Sequence, residues 1–489
     1  MEVDPRRDHS IHIPRPDLSI SLGLPNACTR CHLTDARISD EKRATLKQYH
    51  DWIAAARAGD EEIRAELARL DKWMLESMQK WYRKEAWGDS YAHALQAGRT
   101  REPAADKLLA ELAGDRMVPA VVRATAIQQR GRLHSVTDLR PELRALADED
   151  PQVRAAAVAR FFDEIPHFGG QMLSARDEQR AFDGVAPLVE NLVPLLEDRR
   201  RLVRAEAGRV LARLPGQLTT RLLNGRQRES LDSAIDEYIA GVHEANDRGG
   251  AHMALGVLYE SMGRDRMAQA AYETAIRVEP RLTGPRSNLA GLLERAIWDE
   301  RSRAPGAVDK EHVDRLRDAL RTLRSEELAL MARDARLLPD NAALQYRYGL
   351  ALYLNGDREE AERVLASACR LEPDNDQFLL ALVLFHQKYK RYDIALENAR
   401  RLVALRPENA QYAEILADVD AEKTLAAACQ LNPDDERALL ALVQFLDQRG
   451  RYDEALEAVQ QLVALRPGNP QYATVRAEIE QKQKDMRGE

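Results

Sequence analysis

The chain has 489 residues, of which 44 % are hydrophobic, 5 % aromatic and 31 % charged, and its formal net charge is −8. Apolar content dominated by Ala and Leu suits about three domains of helix packed on helix, and the mixed charges form no basic block of the kind that holds nucleic acid. No apolar run reaches the roughly 20 residues that span a bilayer, and the polar start, Met1 to His9, lacks the apolar core of a secretory signal, so the sequence by itself predicts neither a membrane span nor export.

In chain order, residues 4–27 carry prolines at 5, 14, 16 and 25 and are expected to be extended rather than helical. Helical periodicity begins near Asp40 and runs to about Tyr82, marked by Trp52, Ile63, Leu67, Leu70, Trp73 and Leu75. Trp52, Trp73, Trp81 and Trp87 all fall in the first hundred residues, which gives this part its own core chemistry and places a domain boundary near residue 100.

Between the proline-rich stretch and these helices stands Cys28-Thr29-Arg30-Cys31-His32. Two thiols at this spacing can form thioethers with the two vinyl groups of haem, and the adjacent imidazole can ligate the iron. Composition alone would give such a box on the order of once in a thousand chains of this length. A zinc site completed by histidines, or a box that stays unloaded, remain alternatives; a thioredoxin-like pair would need a βαβ context that this helical chain does not offer. Candidate second axial ligands are His9 and His12 upstream, and His50, His93, Met74 and Met78 downstream. Cys369 and Cys429 lie inside helical patterns and read as small buried apolar residues.

Residues 101–216 repeat the segment Val-Arg-Ala-x-Ala at Val122–Ala126, Val153–Ala157 and Val203–Ala207. Pro119 and Pro151 precede two of them, placed to open a helix. This predicts a HEAT-like helical array with an insert at about residues 166–184.

Residues 228–489 follow a 34-residue period. With Gly249 as position 1, Leu255, Gly256 and Tyr259 fall at positions 7, 8 and 11, and Ala268, Tyr272, Ala275 and Pro280 at 20, 24, 27 and 32. Small residues at 8 and 20 suit a close helix crossing, and Pro at 32 stops the second helix. The frame recurs at Gly349, Ala361 and Pro373, then at Leu382, Ala395 and Pro407, and finally at Leu442, Ala455 and Pro467. The segment 368–413 is echoed at 428–473: both contain Leu-Leu-Ala-Leu-Val, Arg-Tyr-Asp and Leu-Val-Ala-Leu-Arg-Pro. One repeat, 284–339, is stretched by a polar insert around 301–311, and another, 407–433, is shortened. The pattern predicts a tetratricopeptide solenoid whose groove takes a peptide or partner helix, with the charged tail beyond Thr474 as its cap.

Val-Asp-Pro-Arg-Arg-Asp-His-Ser at 3–10, Ile-Pro-Arg-Pro-Asp-Leu-Ser at 13–19, Pro-Asn-Ala-Cys-Thr-Arg-Cys-His at 25–32 and Ala-Leu-Gln-Ala-Gly-Arg at 94–99 resemble the last haem segment of bacterial multihaem c-type cytochromes with tetratricopeptide repeats. The resemblance implies haem c held by Cys28 and Cys31, with His32 as the proximal ligand of the haem iron and His9 as the distal candidate. It also implies a periplasmic location and a redox partner protein. Family members carry further haem boxes upstream, and here Met1 falls inside the similar region, so a truncated chain is expected; without export no haem would be attached.

The expected architecture is therefore an all-α solenoid: residues 1–100 a haem c segment with helices, then the HEAT-like array, then the tetratricopeptide repeats. The expected function is a haem-binding electron-transfer module joined to a protein-interaction scaffold. A haem-free scaffold with a relic box, or a fragment of a multihaem oxidoreductase, are the alternatives. No metalloprotease, Walker, nucleophile-elbow or dinucleotide motif occurs in the sequence, which favours a carrier or scaffold over an enzyme.

Overall fold

The computed structural model describes residues 15–22, 27–83, 90–102, 104–133, 138–165, 175–302, 308–407 and 409–487. Among these the chain is an all-α solenoid of 26 α-helices and two 3-10 helices, with no strand. Helices pack chiefly on their neighbours in sequence, the contact pattern of a solenoid.

The first helix, Pro16–Leu22, corrects the expectation of an extended segment over residues 4–27. Pro16 opens it, where a missing N–H leaves no bond unmade, and no further proline follows for the next six residues. Helix Glu61–Tyr82 is the spine of this region. Asp60 caps it by accepting from Ile63 N, and Ile63, Leu67, Leu70, Met74 and Met78 form its buried stripe. That stripe packs on Ala36 and Trp52, and the Trp52 indole donates to the Leu46 carbonyl at 3.0 Å.

The three Val-Arg-Ala segments lie on helices Ala120–Arg130, Pro151–Arg160 and Arg201–Leu211, which stack in series. Each valine is buried. Each arginine does two things. It donates to a main-chain carbonyl just before its own helix: Arg123 to Val118, Arg154 to Asp148 and Arg204 to Asp198. It also reaches forward to a carboxylate further along the stack: Arg123 to Asp148, Arg154 to Asp198 at 2.9 Å, and Arg204 to Glu237 at 2.5 Å. Burial is the largest influence and pushes the Asp148 and Asp198 carboxyls up, but the arginine hydrogen bond, a main-chain N–H and the nearby arginine charges together hold both below the usual carboxylate range. The core of this array extends without a break from Ala97 to Leu258, so packing joins it to the repeats that follow.

In the repeats, every alanine at position 20 (Ala268, Ala361, Ala395, Ala455) is fully buried. Gly256 lies so close under the Tyr272 ring that a Cβ there would come within 2.3 Å of it. The two irregular repeats are absorbed by helix length. The polar insert feeds the 28-residue helix Lys310–Leu337, and the shortened unit is the single 22-residue helix Ala410–Leu431, which has no internal breaker. The tail forms helix Pro470–Arg487, and its Tyr472 and Ile479 close the last core cluster.

The duplication is visible in the contacts. Tyr412 donates to Asp376 at 3.0 Å, and Tyr472 to Glu436 at 2.5 Å. Arg391 pairs with Glu362, and Arg451 with Glu422, both at 2.5 Å. The turn after the first helix of each copy is left-handed, at Lys390 (φ 58°) and Gly450 (φ 68°). A side chain disfavours this conformation, so Lys390→Gly is expected to stabilise its repeat by about 0.5–1 kcal/mol, read as slower amide exchange in helices 376–388 and 392–405.

Far-separated parts also meet. Arg101, which ends helix Tyr91–Thr100, donates to Asn375 Oδ1 at 3.0 Å and lies 5.9 Å from the Phe378 ring centroid.

Candidate functional site

The Cys-His box sits on the short helix Ala27–Cys31 and the turn that follows. Thr29, between the cysteines, is fully buried, and its hydroxyl bonds to Asp71 on helix Glu61–Tyr82. This fixes the box against the spine and leaves Cys31 as an exposed free thiol. Cys28 lies one turn earlier on the same helix.

His32 leads into the 3-10 turn Leu33–Asp35. Its Nδ1 lies 2.9 Å from Asp35 Oδ2, and the Trp73 ring stands edge-on to it, centroids 5.2 Å apart. A carboxylate only accepts, so in the neutral imidazole Nδ1 carries the proton and Nε2 the lone pair. The turn is held firmly. Arg69 Nη2 donates to the Asp35 carbonyl at 3.0 Å, Arg37 N donates to the buried Glu66, and Arg69 pairs with Glu66 at 2.6 Å.

This chemistry suits a covalently held haem: an exposed thiol one turn from a second cysteine, and an imidazole whose Nδ1 is already engaged. Asp35 and Trp73 were not singled out in the sequence; the signal available was an acid three residues after the histidine, the spacing a 3-10 turn brings together. The distal candidates are spread over residues 9–93 of the chain. His9 and His12 lie outside the described residues, Met74 and Met78 are buried in the spine, and His93 is exposed with Nδ1 3.4 Å from the Ser90 carbonyl. Among the described residues no three His, Cys, Asp or Glu side chains cluster to hold a bare metal ion.

Cys369 and Cys429 pack with apolar residues of the repeats. Burial pushes the Cys369 thiol up to about 11 and raises Cys429 as well, which keeps both protonated and unreactive.

A second surface lies on the repeats. Helices Ala342–Asn355 and Asp376–Lys388 are joined side by side by Tyr346 on Phe378, centroids 4.5 Å apart, and Tyr353 on Phe385 at 5.9 Å. Leu350 and Leu354 on one helix, and Leu380 and Leu384 on the other, are each four residues apart and share a face. Leu354 is 69 % and Leu384 48 % exposed. No helix among the described residues is long and apolar enough to cross a membrane.

No curated protein sequence matches this chain. Similar solved structures include the P58(IPK) TPR domain, with 15 % identity over 55 % of this chain and 89 % of that one and a TM-score of 0.22. Human IFIT1 with m7Gppp-AAAA has 11 % identity over 92 % and 94 % and a TM-score of 0.35. Cut9–Hcn1 has 11 % identity over 90 % and 95 % and a TM-score of 0.28. Tetratricopeptide repeat models match residues 250–282, 342–385 and 419–479, which include the buried alanines Ala268, Ala361 and Ala455. The carboxy-terminal half of the chain thus contains tetratricopeptide repeats.

Proposed function

We propose that the chain is a helical-repeat scaffold that holds a protein partner along its carboxy-terminal repeats. The observation that carries this reading is the stripe that the exposed Leu354 and Leu384 form with the partly buried Leu350 and Leu380 on helices Ala342–Asn355 and Asp376–Lys388, which the Tyr346–Phe378 and Tyr353–Phe385 pairs join. Stacked repeats present extended surfaces to peptides and helices, and burying a leucine contributes about 1.5–3 kcal/mol. Panning a phage-displayed peptide library on the full chain should yield binders that lose at least about tenfold in affinity to the double variant Leu354→Glu, Leu384→Glu. Binders indifferent to that pair, or none at all, would remove the stripe as the binding face.

The His32–Asp35 pair favours a second reading, in which the amino-terminal segment is also a haem c module. Cys28 and Cys31 would form the thioethers, His32 would be the proximal ligand and His9 the distal candidate. When bound, the haem supplies one-electron redox chemistry. The chain's own residues hold it: Thr29 fixes the box to the spine, Asp35 orients His32, and Trp73 shields one edge of the imidazole. On this reading the protein works in the periplasm, exchanges electrons with a partner held by the solenoid, and belongs with larger multihaem oxidoreductases. The full chain, exported in a host that matures c-type cytochromes, should give a pyridine haemochrome α-band; helical protein without the band rejects haem binding.

A further inference from the structure

Asp35 is exposed, yet both its main-chain polar groups are engaged. Its carbonyl accepts from Arg69, its N–H donates to the His32 carbonyl at 3.1 Å, and the next residue, Ala36, is buried. Arg69 is itself held by Glu66, which also accepts from Arg37 N, so the spine braces the chain at Asp35 and again two residues beyond it. A surface carboxylate left to itself would turn into water. This one is aimed at His32 Nδ1 by a turn it does not have to form alone, and the Trp73 ring packs edge-on against the same imidazole.

We propose that Asp35 is a positioning residue for His32: it fixes the tautomer that points the Nε2 lone pair outward and increases that nitrogen's electron donation. The inference rests on the haem reading above and goes beyond it, because it assigns a share in setting the potential of the centre to a residue outside the Cys-His box. A carboxylate accepting from Nδ1–H makes the imidazole a stronger donor, which stabilises the oxidised iron over the reduced one. Removing the negative charge reverses this. No bond to the iron is lost, so the attached haem and the fold remain.

The test uses the full chain behind an export signal in a host that matures c-type haem. Wild type, Asp35→Asn and Asp35→Glu are compared by haemochrome content, far-ultraviolet circular dichroism and potentiometric titration. Asp35→Asn is expected to keep its haem and helicity while its midpoint rises by about 59 mV or more, a tenfold change for one electron. Asp35→Glu, which restores the charge, is expected to recover at least half of the shift. Should the Asn variant misfold, Asp35→Ser removes the same charge and gives the same readout. Haem-loaded neutral variants with the wild-type midpoint overturn the role of Asp35 and leave the haem reading standing. Wild type without covalent haem overturns both.

Discussion

Replacing Glu142 with alanine is expected to destabilise the middle of the array by about 3–5 kcal/mol. Arg130, at the end of helix Ala120–Arg130, is the largest of the fully buried side chains, and its guanidinium is enclosed on every side. Nη1 faces both carboxylate oxygens of Glu142, which is itself fully buried. Nη2 donates to the Asp138 carbonyl at 2.8 Å, and Asp106 lies 2.7 Å from Nε. Without Glu142 the arginine keeps its charge in an interior that supplies only the half-exposed Asp106 as counter-ion. The pair as a whole adds little over a well-packed apolar substitute, so the double variant Arg130→Met, Glu142→Leu should recover most of the loss. Because helices pack chiefly on their neighbours in sequence, with the Arg101–Asn375 bond as a link across to the later repeats, most of the damage should stay local. Amide exchange should quicken in helices 105–114, 120–130 and 140–145 and hold in the repeats beyond residue 340. A uniform effect along the chain, or a loss under 1 kcal/mol, would show that the pair is not what holds this segment.

What could be read from the sequence depended on whether a residue's role was set by its own repeat. Gly256, Ala268 and Tyr272 were legible because one helix pair fixes their contacts: the crossing admits only a small residue on one side and a ring on the other. The duplicated segment was legible for the same reason, and its Tyr412–Asp376 and Tyr472–Glu436 bonds follow the echo. The Val-Arg-Ala segments were recognised as repeats, but the forward reach of their arginines was not, since Asp148, Asp198 and Glu237 stand at unequal distances downstream. The polar insert near residue 301 was legible as a stretch of its repeat. The length of the helix that follows it was not legible: residues 310–337 are good helix formers, and Asp309 caps them by accepting from His312 N. At the candidate haem site, Cys28, Cys31 and His32 were legible as a motif. Asp35 was not, because its aim at the imidazole depends on Arg69 and Glu66, some thirty residues on.

Gly208→Ala should destabilise the chain by about 1–3 kcal/mol, and Gly208→Val by more, whereas Gly291→Ala should stabilise it by about 1 kcal/mol. Both glycines are helical, so helix propensity favours alanine equally at each; surroundings decide the sign. At Gly208, on helix Arg201–Leu211, a Cβ would come within 2.7 Å of Ala234 C and 2.8 Å of Ile235 N on helix Gly225–His243. Those are main-chain atoms inside a helix and cannot swing aside, so the two helices must part. The Arg204–Glu237 bond between the same two helices would stretch with them. At Gly291, inside helix Pro285–Arg301, nothing lies within 4 Å of an added Cβ, and alanine gains backbone entropy without a clash. Urea unfolding followed by circular dichroism, with amide exchange to localise each change, should give opposite signs for the two alanine variants. Equal signs would mean that the crossing between residues 208 and 234 has room to spare, and that the middle array is packed more loosely than its buried core implies.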